Sequence, residues 1–147
     1  MRFLCAEDNE LNAEILTELL KIEGAECTIC ENGKKLVETF GQSVPGEYDM
    51  ILMDVQMPVM NGYEATKAIR QSSHELAKTN PVIAMTANAF SEAIQHSLAA
   101  GMNAHISKPV EMEVLKKTIK SIKISGWGAQ IPISKLCRQD MEMRFLR

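Results

Sequence analysis

Tyr48-Asp49-Met50-Ile51-Leu52-Met53-Asp54 is apolar without alternation through its middle and ends on a carboxylate. A strand with one wet face alternates apolar and polar residues, whereas a parallel strand covered on both faces is apolar throughout. The stretch therefore predicts a buried parallel strand. Val82-Ile83-Ala84-Met85 repeats the pattern and runs into Thr86. Shorter apolar runs lie at Phe3 to Ala6, Ala25 to Cys30 and Ala104 to Ile106. Between them come stretches with helical spacing: Glu10 to Glu23, Lys34 to Phe40, Tyr63 to Arg70, Phe90 to Ala100 and Glu111 to Lys123. Gly24, Gly33, Gly41, Pro45-Gly46, Asn61-Gly62, Asn80-Pro81, Gly101 and Pro109 punctuate the boundaries. The rhythm is (βα)5. Five units cannot close an eight-stranded barrel, so the expected α/β fold is an open, doubly wound parallel sheet.

The chain has 147 residues, 46% of them apolar and 24% charged, which is ordinary globular composition. Sixteen Lys and Arg against nineteen Asp and Glu leave a net charge of −3, which argues against a nucleic-acid binder. No apolar run approaches the ~18 residues of a membrane span, and acid follows the first apolar run too soon for a signal peptide. A cytoplasmic domain without direct membrane contact is expected. Cys27-Thr28-Ile29-Cys30 matches a CxxC, but it reads as a strand, where residues three apart point to opposite faces. These are expected to be ordinary buried strand cysteines. Residues 1–124 form the expected domain. Residues 125–147 read as a linker or tail, with Ile133 to Arg147 able to form one short helix. Four basic residues there (Lys135, Arg138, Arg144, Arg147) face two acidic ones (Asp140, Glu142).

In open α/β sheets, ligands bind outside the carboxyl ends of the strands. Those ends carry Glu7-Asp8, Asp54, Thr86 and Lys108. With the flavodoxin-like order 2-1-3-4-5, the four strands are neighbours and the side chains converge on one crevice. Each acid alone would pass as a helix cap or a solvated turn; the set is harder to dismiss. Two carboxylates ~4 Å apart repel by about 4 kcal/mol at an effective dielectric near 20. Either a proton is retained or a cation binds, and all-oxygen ligands suit Mg²⁺. Lys108 and the Thr86 hydroxyl stand where phosphoryl oxygens would sit, which makes Asp54 a candidate carboxylate nucleophile. No G-x-G-x-x-G and no G-x-x-x-x-G-K-[ST] occurs, so dinucleotide and P-loop chemistries lack their motifs. A dehalogenase-type phosphatase wants a second Asp where Gln56 stands.

The chain strongly resembles the receiver domain of two-component signalling, most closely receivers of hybrid sensor histidine kinases. The matching stretches are Ala6-Glu7-Asp8-Asn9, Ile51 through Gly62, Ile83 through Ala89, and Ala100-Gly101-Met102-Asn103 through Ser107-Lys108-Pro109. The resemblance spans residues 2 to about 123. It implies that Asp54 accepts a phosphoryl group from a phosphohistidine of a histidine kinase core or a histidine-containing phosphotransfer domain. It implies Mg²⁺ on Asp8, Asp54 and the Gln56 backbone carbonyl, with Glu7 acting through water. It also implies that Thr86, the Ala87 backbone N–H and Lys108 hold the phosphoryl group, that Thr86 is a switch, and that the Lys108-Pro109 bond is cis. Self-catalysed phosphorylation and dephosphorylation of Asp54 come with the same reading, and a weak dimer is left open.

Two departures stand out. His105 occupies the place of the family's switch aromatic. The chain also opens almost on its first strand and ends in an unmatched tail, as expected of a piece of a longer, membrane-anchored or soluble kinase. The alternatives are a stand-alone single-domain regulator and a phosphorylation-independent binding scaffold. His96, on a connecting helix, resembles a phosphorylatable histidine only faintly. Finally, Leu11, Asn12, Ala13, Ile15, Leu16, Leu19, Leu20 and Ile22 cover more of the first helix than one sheet needs. Either a neighbouring helix covers the excess, or Leu11, Asn12 and Ile15 dock the phosphohistidine-bearing partner.

Overall fold

The computed structural model describes residues 1–87 and 91–124. Five strands and five helices alternate: β1 (Arg2–Ala6), α1 (Glu10–Ile22), β2 (Glu26–Cys30), α2 (Gly33–Gln42), β3 (Met50–Asp54), α3 (Gly62–Gln71), β4 (Val82–Thr86), α4 (Ser91–Ala100), β5 (Ala104–Ser107) and α5 (Met112–Ile124). All strand pairs are parallel, in the order β2-β1-β3-β4-β5. The expected fold class and strand order are thus those observed. The proposed boundary at 124 and the tail helix lie outside the described residues.

Alternate residues of each strand feed two cores. Phe3, Cys5, Met50, Leu52, Ile83, Met85 and Ile106 pack with Leu16 and Leu20 of α1 and Leu115 and Ile119 of α5. Leu4, Ala6, Ile51, Met53, Val82 and Ala84 pack on the other face with Leu36 and Phe40 of α2 and Ala65 and Ile69 of α3. β3 and β4 are buried at every position, which is why their sequences do not alternate.

The helices start where asparagines stand. Asn9, Asn32 and Asn61 accept backbone N–H bonds from Asn12, Lys35 and Glu64, satisfying donors that the helix cannot. Two of these caps follow directly on strand-end loops that carry site residues, so capping also fixes where those loops turn. Gly24 (φ 81°) and Gly101 (φ 102°) supply the left-handed turns after α1 and α4.

Gly62 opens α3 directly behind the end of β3. A Cβ there would run into the carbonyl oxygen of Asp54 and come within 2.9 Å of Val55 Cα. Both obstacles are backbone and cannot rotate away. Gly62→Ala is therefore expected to destabilise the fold by about 1–3 kcal/mol. The check is a chemical-denaturation midpoint, and Gly41→Ala is the control because a Cβ at Gly41 meets nothing within 4 Å.

The CxxC reading needs one correction. Cys27 and Cys30 do face opposite cores, but Cys27 is only half-buried, and its Sγ lies 2.8 Å from that of Cys5. β2 is an edge strand, so its α1-facing side is covered less completely than that of β1.

Candidate phosphoryl-acceptor site

The strand order brings the ends of β1, β3, β4 and β5 side by side, and the polar residues of the sequence meet there. Asp54 closes β3 and Thr86 closes β4; both are buried. Glu7 follows β1 and is also buried, whereas the adjacent Asp8 is exposed. Carboxylate oxygens of Glu7, Asp8 and Asp54 all lie within 4.8 Å of one another. Asp8, Gln56 and Thr86 line one open cleft of about 540 Å³ together with Asn61 and Tyr63. This all-oxygen donor set, with one carboxylate open to solvent, fits a hard divalent cation that keeps part of its water.

Lys108 leads out of β5, and its backbone N–H donates to the Thr86 carbonyl at 2.8 Å. Its Nζ lies 2.8 Å from Glu7 Oε2 and 2.9 Å from Asp54 Oδ2. The Lys108-Pro109 peptide is cis. The Gln56 N–H donates to Asp54 Oδ1 and the Asn9 N–H to Glu7 Oε1, each at 3.3 Å. One ammonium therefore bridges two buried carboxylates, and two loop amides hold their other oxygens.

The electrostatics follow from that crowding. Burial, with the Glu7 charge adding to it, pushes the Asp54 carboxyl up to about 6, although Lys108 pulls the other way. Burial alone would lower the Lys108 ammonium, but its hydrogen bonds to Glu7 and Asp54 outweigh this and hold it above the usual lysine range. The pocket is thus poised for added positive charge.

The model of the response regulator receiver domain matches residues 3–120. The chain belongs to that family. Over 122 residues this receiver domain is 38% identical to the hybrid signal transduction histidine kinase G of Dictyostelium discoideum, covering 81% of the chain but 3% of that kinase. Among solved structures, it resembles the receiver domain of sensor histidine kinase PA1611 from Pseudomonas aeruginosa PAO1, whose active-site cleft coordinates a magnesium ion. That likeness has 34% identity and a TM-score of 0.71, over 82% of this chain and 96% of the other. It also resembles the Saccharomyces cerevisiae Ssk1 receiver solved with the histidine phosphotransfer protein Ypd1, at 28% identity and a TM-score of 0.68, covering 80% and 86% of the two chains. The receiver domain spans only a small part of its curated relatives, 15% of the length of GacS from Pseudomonas syringae pv. syringae being an example.

The remaining expected residues fall around this site. Ala87 follows β4 and is exposed, and His105 is half-buried on β5 opposite Ala84. Alternation puts His105 on the other face from Ile106, away from α5. On α1, Leu16 and Leu20 are buried, but Leu11, Ile15 and Ile22 are 64%, 51% and 69% exposed. Among the described residues, then, no neighbouring helix covers the excess apolar face. Asn12 and Ile15 line a groove of about 320 Å³ with Leu16, Met85, Pro109 and Val110, and Glu7 and Lys108 line it too. This groove joins the helix face to the acidic site. Sequence reading missed it because the approach of the β5–α5 loop to α1 leaves no local mark. Among the described residues no helix is long and apolar enough to cross a membrane.

Proposed function

We propose that this receiver domain takes a phosphoryl group onto Asp54 from a phosphohistidine, with magnesium bound at the acidic cleft. The observation that carries the reading is one carboxylate, Asp54, held by Lys108 at 2.9 Å within a three-carboxylate cluster. Asp8, Asp54 and the Gln56 carbonyl would hold the ion, with Glu7 acting through water. Bound there, magnesium supplies charge neutralisation for the transferring phosphoryl group.

The chain's own residues do the rest. An Asp54 oxygen attacks phosphorus in line with the leaving imidazole nitrogen, which keeps the electron pair of the broken N–P bond. Lys108 exchanges its carboxylate partners for a phosphoryl oxygen, and the Thr86 hydroxyl and Ala87 N–H donate to the others. Thr86, moving toward the new anion, and His105 on the neighbouring strand form the proposed switch. Leu11, Asn12 and Ile15 form the docking surface for a histidine kinase core or a phosphotransfer domain. The kinship with hybrid kinases supports a parent chain of that kind.

The test uses a donor that needs only the pocket. With acetyl phosphate and Mg²⁺, the protein should gain one phosphoryl group, removable by hydroxylamine as acyl phosphates are. Chelating the metal should reduce incorporation at least tenfold, about 1.4 kcal/mol in the barrier. A hydroxylamine-stable modification would place the phosphoryl group on another residue type and overturn the assignment.

A further inference from the structure

Cys5 and Cys27 stand on neighbouring strands beneath α1, away from the acidic cleft. β1 and β2 pair with Phe3 opposite Cys27 and Cys5 opposite Ile29, so the two thiols are diagonal neighbours on one face. Their sulfurs are 2.8 Å apart. Bonded sulfurs sit at about 2.05 Å, so the two are already within about 1 Å of bonding distance. Cys30, only three residues along, packs into the opposite core and meets the Thr39 hydroxyl instead. The sheet itself therefore selects one pair of the three cysteines in the described residues.

The two thiols are unequal. Cys5 is wholly buried, whereas Cys27 is partly open on the edge strand. A partly accessible thiol backed by a buried one is the arrangement of an attacking and a resolving cysteine.

We propose that Cys5 and Cys27 are a redox-active dithiol, which a small-molecule disulfide of the glutathione class converts to an intramolecular disulfide across β1 and β2. The Cys27 thiolate attacks one sulfur of the reagent; a Cys27 mixed disulfide forms and one reagent thiolate leaves. Cys5 then loses its proton and attacks the Cys27 sulfur, breaking the mixed disulfide and releasing the second reagent thiolate. Both released thiolates take up the protons the two cysteines gave. Two protein thiols are oxidised and one reagent disulfide is reduced to two thiols. The bridge spans 22 residues of sequence that include all of α1. It ends two residues before Glu7, whose backbone N–H donates to the Cys30 carbonyl. Oxidation would thus fasten edge strand β2 to β1, the strand that leads into the acidic cleft.

The experiment incubates the full chain with oxidised glutathione and maps its disulfides by non-reducing peptide mass spectrometry. The expected product is a monomer about 2 Da lighter than the reduced chain, with Cys5 joined to Cys27. Its thermal midpoint should be several degrees higher, because closing a loop of this size restricts the unfolded chain. Cys5→Ser should stop at the mixed disulfide on Cys27, and Cys30→Ser should leave bridging unchanged. A bridge to Cys30 or Cys137, or no bridge in the wild-type chain, would overturn the proposal whatever the variants do.

Discussion

Asp54→Asn is expected to take up no phosphoryl group from any donor and, in metal-free buffer at pH 7.5, to unfold at a higher temperature than the wild type. The first half is chemical: an amide oxygen carries no negative charge and is a poor nucleophile. The second half follows from the elevated carboxyl. Burial and the Glu7 charge raise Asp54 to about 6, above its ordinary value of 3.8. The folded state therefore holds that proton more tightly than the unfolded state does. Its contribution to stability is full below about pH 4 and is lost as the pH rises through about 6. At pH 7.5 the wild type bears a charged carboxylate in a site that resists it, at a cost of roughly 1–3 kcal/mol. Asparagine keeps the shape and removes the charge, while Lys108 keeps Glu7 as its partner. The thermal midpoint should rise by about 5 °C. Calorimetry at pH 4 and pH 7.5 in chelator checks this, because the gap between variant and wild type should open with pH. An unchanged or lower midpoint at pH 7.5 would mean the Asp54–Lys108 pair outweighs the burial of the charge.

Burial and strand order were legible in the residues themselves, whereas side-chain partners were not. Met50-Ile51-Leu52-Met53 and Val82-Ile83-Ala84-Met85 declared doubly covered strands because solvent never touches either face. Once those strands were placed, Asp54, Thr86 and Lys108 had to sit at the carboxyl end of the sheet, so their convergence followed from topology alone. Partnership did not. Lys108 bridges Glu7 as well as Asp54, making Glu7 part of a buried ion pair as well as a candidate outer ligand. Cys5 and Cys27 meet only through the β1–β2 register, which depends on how the strands slide against each other. In the sequence Arg70 is only the last residue of a stretch with helical spacing, Tyr63 to Arg70. In the structure it is a clamp, donating to the carbonyls of Ala77, Asn80 and Gly101 and fastening the loop before β4. Contacts of this kind depend on side-chain reach across segments, which periodicity does not encode.

The exposed apolar face of α1 leads to the second large effect, Leu11→Arg. Leu11 is 64% exposed in the first turn, next to Asn12, which with Ile15 lines the groove reaching Lys108. Glu10 and Glu14 are exposed on the same helix, so an apolar centre is ringed by charge, as in transient protein interfaces. On the proposed function, a phosphohistidine would have to come within bonding distance of Asp54, and the helix carrying it would rest on the surface around the cleft. Arginine at position 11 adds bulk and a charge that the partner would have to desolvate. Transfer from a histidine-phosphorylated phosphotransfer domain should slow at least tenfold, about 1.4 kcal/mol of lost interaction. Acetyl phosphate should react at nearly the wild-type rate, because it enters the cleft without touching α1. Folding is protected by the same exposure, since Leu11 contributes little to the core beneath. Comparing the two donors on one preparation separates the outcomes. Equal loss with both would mean the substitution disturbed the acidic site itself, and unchanged transfer from the protein donor would put the docking surface on another face of the domain.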